Sequence, residues 1–335
     1  MKAVAYRRPL PITDAESLLD VTLPEPVAAG RDLLVRVEAV SVNPVDVKIR
    51  AGSMPAEGQL KVIGWDAVGT VAAVGDQVTL FKPGDRVWYA GDITRSGSNA
   101  ELQLVDERIV GHAPTSIPAA QAAALPLTAI TAWELLFDRL GTTADTEGAL
   151  LIIGAAGGVG SILTQLARRL TKLTVIGTAS RPETQAWLRE LGAHHVIDHH
   201  QPLLPQLQAA GVPQVTAVAG LTHTPTYFQQ IVEALAPQGK LALIDDFKEP
   251  LDVMPMKRKS LSLHWELMFT RPMMQTADMH KQHELLDEVA KLVDAGRLRS
   301  TLGEHFGTIN ATNLKRAHAF IESGKARGKV VLEGF

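Results

Sequence analysis

The apolar run Ala149-Leu-Leu-Ile-Ile153 passes straight into Gly154-Ala-Ala-Gly-Gly-Val-Gly160. Beyond the glycines, Val159, Ile162, Leu163, Leu166, Ala167 and Leu170 recur at three- and four-residue spacing, the period of an amphipathic helix. A buried strand therefore feeds a glycine-rich turn that opens a helix, the context that gives a dinucleotide-binding fingerprint its meaning. Ala155, Gly157 and Gly160 fill the three fingerprint positions, with Ala in place of the first Gly. Gly157 lets the backbone approach a pyrophosphate, and Gly160 lets the helix lie close on the strand. The N–H groups at the helix start meet the phosphate charge, so Ala156, Gly158 and Val159 join the cofactor site. A glycine-rich connection in another α/β fold would share the glycines but not the register of strand, turn and helix.

The pattern continues as a Rossmann unit. Leu173–Gly177 reads as a second strand, followed by Thr178-Ala-Ser-Arg181 where the adenosine ribose is read. An Asp or Glu there would bind the ribose hydroxyls of NAD. None precedes Glu183, and the hydroxyl of Ser180 with the guanidinium of Arg181 suits the 2′-phosphate of NADP(H). Pro182–Leu191 reads as a helix with Pro at its start and Gly192 at its end. Strands at 195–198, 214–219 and 241–244 alternate with a helix at 226–236, so the sheet is expected to be parallel and doubly wound.

The N-terminal third differs. Short β-type runs at 3–6, 32–42, 67–74, 86–89 and 100–105 are separated by turn signals such as Lys82-Pro-Gly-Asp85 and Gly97-Ser-Asn99. This reads as a compact antiparallel β domain. Toward the C-terminus, helices at 283–295 and 313–322 precede a strand at 329–332. The expected division is residues 1–125 with 270–335 as one domain and 126–269 as the Rossmann domain.

Composition narrows the function. The 335 residues are 46% hydrophobic with a net charge of −3, so there is core enough for more than one domain and no basic footprint of a nucleic-acid binder. No apolar run is read as a membrane span, and the start Met1-Lys-Ala-Val-Ala-Tyr-Arg-Arg8 lacks an apolar signal region, giving the expectation of a cytoplasmic protein. Cysteine is absent, which excludes disulfide and thiolate chemistry. The histidine groups His280/His283, and His194, His195, His199 and His200, read as solvated surface and not as metal sites.

Ser41-Val-Asn-Pro-Val-Asp46, Lys82-Pro-Gly-Asp-Arg-Val87, Ala124–Trp133, Gly154–Gly160 and Gly328-Lys-Val-Val331 occur in order along the chain. Together they resemble the medium-chain dehydrogenase/reductase superfamily in its quinone oxidoreductase-like branch. Gly64-Trp-Asp66, Trp88-Tyr-Ala-Gly-Asp92 and Leu135-Leu-Phe-Asp-Arg-Leu140 are most similar to the bacterial zinc-type alcohol dehydrogenase-like proteins. The resemblance implies a GroES-like catalytic domain, a Rossmann NADP-binding domain, an active site between them, and a homodimer joined through Rossmann-sheet edges. Ser260–Trp265 is the candidate edge. Zinc-dependent relatives carry Cys where Asn43 lies and Gly-His-Glu where Gly64-Trp65-Asp66 stands, so no metal is expected here.

The resemblance also nominates site residues. Asn43, held extended by Pro44, is placed to donate to a substrate oxygen, or simply forms an Asn-Pro turn. Lys48 is either a proton donor or a solvated loop charge. Thr131 corresponds to a Thr packed near the nicotinamide, or is a helix hydroxyl bonded to its own backbone, and Lys329 corresponds to a basic residue that reaches the pyrophosphate, or is an exposed edge-strand Lys. Asp46 reads as orienting its loop and Asp66 as structural. The activity implied is metal-independent hydride transfer from NADPH to a quinone, enone or other reactive carbonyl. The alternatives are a non-catalytic NADPH-responsive binding protein and a true alcohol dehydrogenase.

Overall fold

Hydrogen bonding between strands sorts the chain into three sheets, described here from a computed structural model covering residues 1–335. By contacts the chain divides into two units, residues 1–130 with 269–335, and residues 131–268.

The unit 131–268 contains a six-stranded sheet in the spatial order 195–197, 174–178, 149–153, 215–220, 235–243, 262–265, every pair of neighbours parallel. This is the doubly wound order of a Rossmann domain, whose topological switch point lies between the first strand, Ala149–Ile153, and the fourth, Val215–Gly220. Ala149–Ile153 is buried along its length because both of its faces are covered, and a continuous apolar run is what such a position requires. The helices Gly158–Leu170 and Pro182–Leu191 form where their periodicity placed them. Gly192 ends the second with φ +102°, the left-handed cap that favours glycine. Ser262–Trp265 is a sheet edge, paired on one side only with Leu235–Leu243.

One boundary differs from expectation. The helix Thr224–Ala234 gives way at Leu235 to a strand that runs to Leu243, where the sequence reads as helix to 236 and strand from 241. Leu235 pairs with Val215 and Lys240 with Ala217, so the residues between them bulge, and Gln238 takes φ +64° inside the bulge. A Pro-x-Gly interruption reads as a turn in sequence but is absorbed here within a strand.

The other unit is built on antiparallel pairing. A three-stranded sheet joins 19–22, 2–6 and 61–62, and a seven-stranded sheet is organised around the long strand Asp32–Val42. That strand pairs with Ala67–Val74, Leu102–Asp106 and Lys329–Glu333, so the last strand of the chain lies against one of the first. Leu302–His305 adds to Lys329–Glu333 in parallel, the exception to the antiparallel expectation. The helical stretch Ala119–Arg139 is long and apolar enough to cross a membrane by composition, contrary to the sequence reading. In the structure 83% of its apolar window is buried, as in the core helix of a folded domain.

Candidate active site

The glycine turn can be tested position by position. The sharp reversal after Ile153 is made by Gly154, whose φ is +78° and whose N–H donates to Thr178 Oγ1 at 3.1 Å. The turn's special conformation therefore falls one residue before Ala155, which explains how Ala is accepted there. A Cβ on Gly160 would lie 2.4 Å from the Ala155 oxygen and 2.5 Å from its Cα, so the helix start and the turn are in contact with no room for a side chain. Gly157 is different. A Cβ there would meet only the Gly154 oxygen, at an ordinary 3.5 Å. The protein leaves Gly157 open, and Ala156–Val159 are half-buried, not sealed. Gly157 is also the residue preceding the helix and carries no side chain to cap its N–H groups. An uncapped helix start beside an unfilled glycine fits a pyrophosphate.

Ser180 and Arg181 follow the adjacent strand Thr174–Thr178 and are half-buried, at the start of the helix Pro182–Leu191. The Arg181 Nε lies 3.3 Å from Glu183 Oε1, with both side chains about half exposed. This corrects the expectation that no carboxylate stands at the position. An exposed ion pair of this kind contributes only about 0–1 kcal/mol.

Asn43, Asp46, Asp66 and Lys329 converge within the unit 1–130 with 269–335, and none is more than 3% exposed. Asn43 has the extended backbone expected before Pro44, φ −119° and ψ 159°, and precedes the helix Pro44–Gly52. Its backbone N–H donates to Asp46 Oδ2, and the Asp46 N–H donates to the Asn43 carbonyl at 3.0 Å. The Asn43 Nδ2 donates to Asp66 Oδ2 at 3.0 Å and lies 3.3 Å from the carbonyls of Ser41 and Trp65. Its Oδ1 accepts from the Lys329 ammonium. Both ends of the amide are thus occupied by protein groups, which revises the reading of Asn43 as a donor waiting for a substrate oxygen.

Lys329 is also placed differently from the reading as a pyrophosphate contact. Its Nζ lies 2.9 Å from Asp66 Oδ2 and 3.4 Å from the Val42 carbonyl, besides its bond to Asn43. Three ammonium protons face three oxygens. Asp66 accepts from Lys329 and Asn43 on Oδ2 and from the Leu127 N–H at 2.9 Å on Oδ1. Burial is the largest influence and raises its carboxyl on balance, against the opposing pull of Lys329 and these donors. Since every partner is a donor, the arrangement suits the ionised form. Asp46 is the opposite case. Its Oδ1 has no partner, and burial raises it to about 7 against the opposing pull of the Asn43 N–H and Lys329.

These residues do not fit zinc. Trp65, at the position of a ligand His, is fully buried and its indole N–H donates to the Asp92 carbonyl at 3.2 Å. Indole offers a metal no lone pair, there is no Cys in the chain, and an ammonium already sits on Asp66 and Asn43.

Of the remaining nominees, Lys48 is exposed on the helix Pro44–Gly52, and Thr131 is 5% exposed within the helix Pro126–Trp133, in the unit 131–268. His283 is not the solvated histidine expected. Its ring is mostly buried edge-on to Phe81 at 5.5 Å, and Nδ1 bonds the Val110 carbonyl at 2.6 Å. Asp198, His199 and His200 bring potential ligand atoms within 4.8 Å of one another, at a half-buried to exposed position. The sequence reading missed a buried carboxylate pair in the unit 131–268. Glu266 is pushed up to about 9, first by burial and then by Glu134, despite an ion pair with Arg139 at 2.8 Å. Glu134 lies in a π-helical stretch, Glu134–Arg139, that no apolar periodicity announces.

The alcohol dehydrogenase GroES-like domain family matches residues 29–119, and the zinc-binding dehydrogenase family matches residues 191–332. A zinc-type alcohol dehydrogenase-like protein of Staphylococcus aureus is 40% identical over 336 aligned residues, covering 99% of both chains. The chain belongs to the medium-chain dehydrogenase/reductase superfamily. A solved structure from Rhizobium etli, named for a zinc-dependent alcohol dehydrogenase, superposes with a TM-score of 0.96 at 57% identity, covering 100% of this chain and 98% of that one. The quinone oxidoreductase of Escherichia coli, solved with NADPH, shares the fold with a TM-score of 0.84 at 23% identity, covering 99% of this chain and 100% of that one. Membership of this superfamily makes the protein an oxidoreductase.

Proposed function

We propose that this medium-chain reductase transfers hydride from NADPH to a quinone, an enone or another reactive carbonyl, without a metal ion. The observation that carries the reading is the open position at Gly157 beside an uncapped helix start, with Ser180 and Arg181 following the neighbouring strand. NADPH supplies the hydride when bound. Ala155–Gly160 would hold its pyrophosphate, and Ser180 with Arg181 would grip its 2′-phosphate. A conjugated acceptor suits a site whose buried cation is committed to Asp66 and Asn43, because its negative charge delocalises as hydride arrives. The proton would come from water or from the Nζ of Lys48, exposed on its helix.

A second reading, NADPH-responsive binding without turnover, is favoured by the full hydrogen-bonding of Asn43. A panel of quinones, enones and aldehydes assayed with NADPH and NADH separates the two. Oxidation of NADPH by at least one conjugated acceptor, unaffected by chelators, is the expected result. Tight NADPH binding with no turnover across the panel would favour the second reading, and activity lost with stoichiometric zinc would overturn the metal-free one. A cytoplasmic location belongs to the same reading, as does a homodimer through the edge strand Ser262–Trp265, where Trp265 and nearby Leu267 are 54% and 52% exposed. Light scattering tests the dimer.

A further inference from the structure

We infer that the Lys329 ammonium is the resident cation of the catalytic-domain site: it balances the charge of buried Asp66 and so closes the Asn43–Asp66 cage to metal. The inference does not depend on which substrate or cofactor the protein uses.

The positions corresponding to the relatives' Cys and His-Glu do converge here, since Asn43 Nδ2 bonds both the Trp65 carbonyl and the Asp66 carboxylate. What lies against Asn43 and Asp66 is an ammonium. It arrives from the far end of the chain, on the strand Lys329–Glu333, which pairs with Asp32–Val42 and so delivers residue 329 beside residue 43. The cage consists of oxygens: Asp66 Oδ2, Asn43 Oδ1 and the Val42 carbonyl. Such donors suit an ammonium or a hard divalent cation, not a thiolate-seeking one. A fully buried carboxylate either keeps its proton or needs a counter-charge, and the three donors on Asp66 favour the ionised form beside a cation. Lys329 supplies it covalently, at one positive charge and with three donor protons for three acceptors.

Two predictions distinguish a resident cation from a lysine that merely packs. The first is charge coupling. Lys329→Met should lower the melting temperature of the full-length protein substantially, and adding Asp66→Asn should recover most of that loss, because the orphaned charge is gone. The second is exchange of cations. Lys329→Ala vacates the cage, and Mn2+ followed by electron paramagnetic resonance should bind this variant at about one ion per chain and raise its melting temperature. Lys329→Ala with Asp66→Asn should bind at least about tenfold more weakly, a difference of about 1.4 kcal/mol. The wild-type protein should show no Mn2+ or Zn2+ binding that Asp66→Asn abolishes. Additive losses in the Met and Asn variants would overturn the inference. So would a folded Lys329→Ala protein that ignores Mn2+, or a wild-type site that takes a metal through Asp66. If Lys329→Ala fails to fold, the Met and Asn pair alone decides. Because these readouts are binding and stability, their failure would leave the reductase reading standing, and an inactive acceptor panel would leave this inference standing.

Discussion

Two glycines three residues apart should respond to the same substitution in opposite ways. Gly160→Ala places a methyl group 2.4–2.6 Å from the backbone of Ala155, a contact that forces the helix Gly158–Leu170 away from its turn. Overpacking of this kind costs about 1–3 kcal/mol, of which up to about 1 kcal/mol is offset by the better helix propensity of Ala. For the unit 131–268, the net loss of up to about 3 kcal/mol corresponds to a melting temperature lower by up to about 10 °C. Gly157→Ala adds its methyl group to open space at φ −74°, a conformation any residue adopts, and should leave stability unchanged within about 0.5 kcal/mol. It fills the room a pyrophosphate needs. A steric cost of about 1–3 kcal/mol in the complex weakens NADPH binding about 5- to 150-fold. The assay is thermal unfolding of both variants, paired with titration of NADPH by its fluorescence. If Gly157→Ala bound NADPH within twofold of wild type, the open position would have nothing to do with cofactor, and the assignment of the turn would fall.

Asn43→Ala should destabilise the protein by about 1–3 kcal/mol, since it strips partners from a buried ammonium and a buried carboxylate; urea unfolding reads this, and a variant that loses turnover at unchanged stability would restore Asn43 to the chemistry. Arg181→Ala should reduce the preference for NADPH over NADH by about tenfold or more in kcat/KM, since its ion pair to Glu183 is exposed and weak; an unchanged preference would place the 2′-phosphate elsewhere. The pH profile of stability carries two opposite slopes. Buried His318, with neither ring nitrogen bonded, is held down to about 3 by burial and then by Arg50. It is neutral when folded and protonates on unfolding, so its contribution is complete above about pH 6.5 and is lost as pH falls toward 3, by up to about 5 kcal/mol. Asp46, raised to about 7, keeps its proton when folded and loses it on unfolding, so stability falls by up to about 4 kcal/mol as pH rises from about 4 to 7. Urea unfolding across pH 4–8 should therefore tilt one way in His318→Leu and the other in Asp46→Asn, and parallel profiles would refute both assignments.

The Rossmann half was legible because its signals are local. Ala149–Ile153, Pro182–Leu191 and the glycines between them are each specified within about ten residues, by a buried apolar run, a cap at each end and a turn. Asp32–Val42, Ala67–Val74 and Arg86–Tyr89 were legible for the same reason. Short elements such as Leu19–Thr22 and Leu302–His305 were not, since four residues paired at an edge carry too little alternation to stand out. The π-helical stretch Glu134–Arg139 escaped because its period is neither 3.6 nor 2.

The site was half legible, and the missing half is a matter of distance along the chain. Asn43, Asp66 and Lys329 could each be singled out, but Lys329 meets Asp66 across 263 residues and Asn43 across 286. Motif spacing says nothing about such pairs. Charge accounting does say something. Asp66 sits between Trp65 and the apolar run Ala67-Val-Gly-Thr-Val71, so burial was readable, and a buried carboxylate needs a cation. With no Cys in the chain and Trp65 in place of the metal's His, the zinc ligand set is incomplete, and a basic side chain is the other source of that charge. Lys329, at the start of the strand Lys329–Glu333 with Val330, Val331 and Leu332 all fully buried after it, is a lysine entering a core strand. A lysine in that setting calls for a carboxylate partner, and Asp66 Oδ2 lies 2.9 Å from its Nζ.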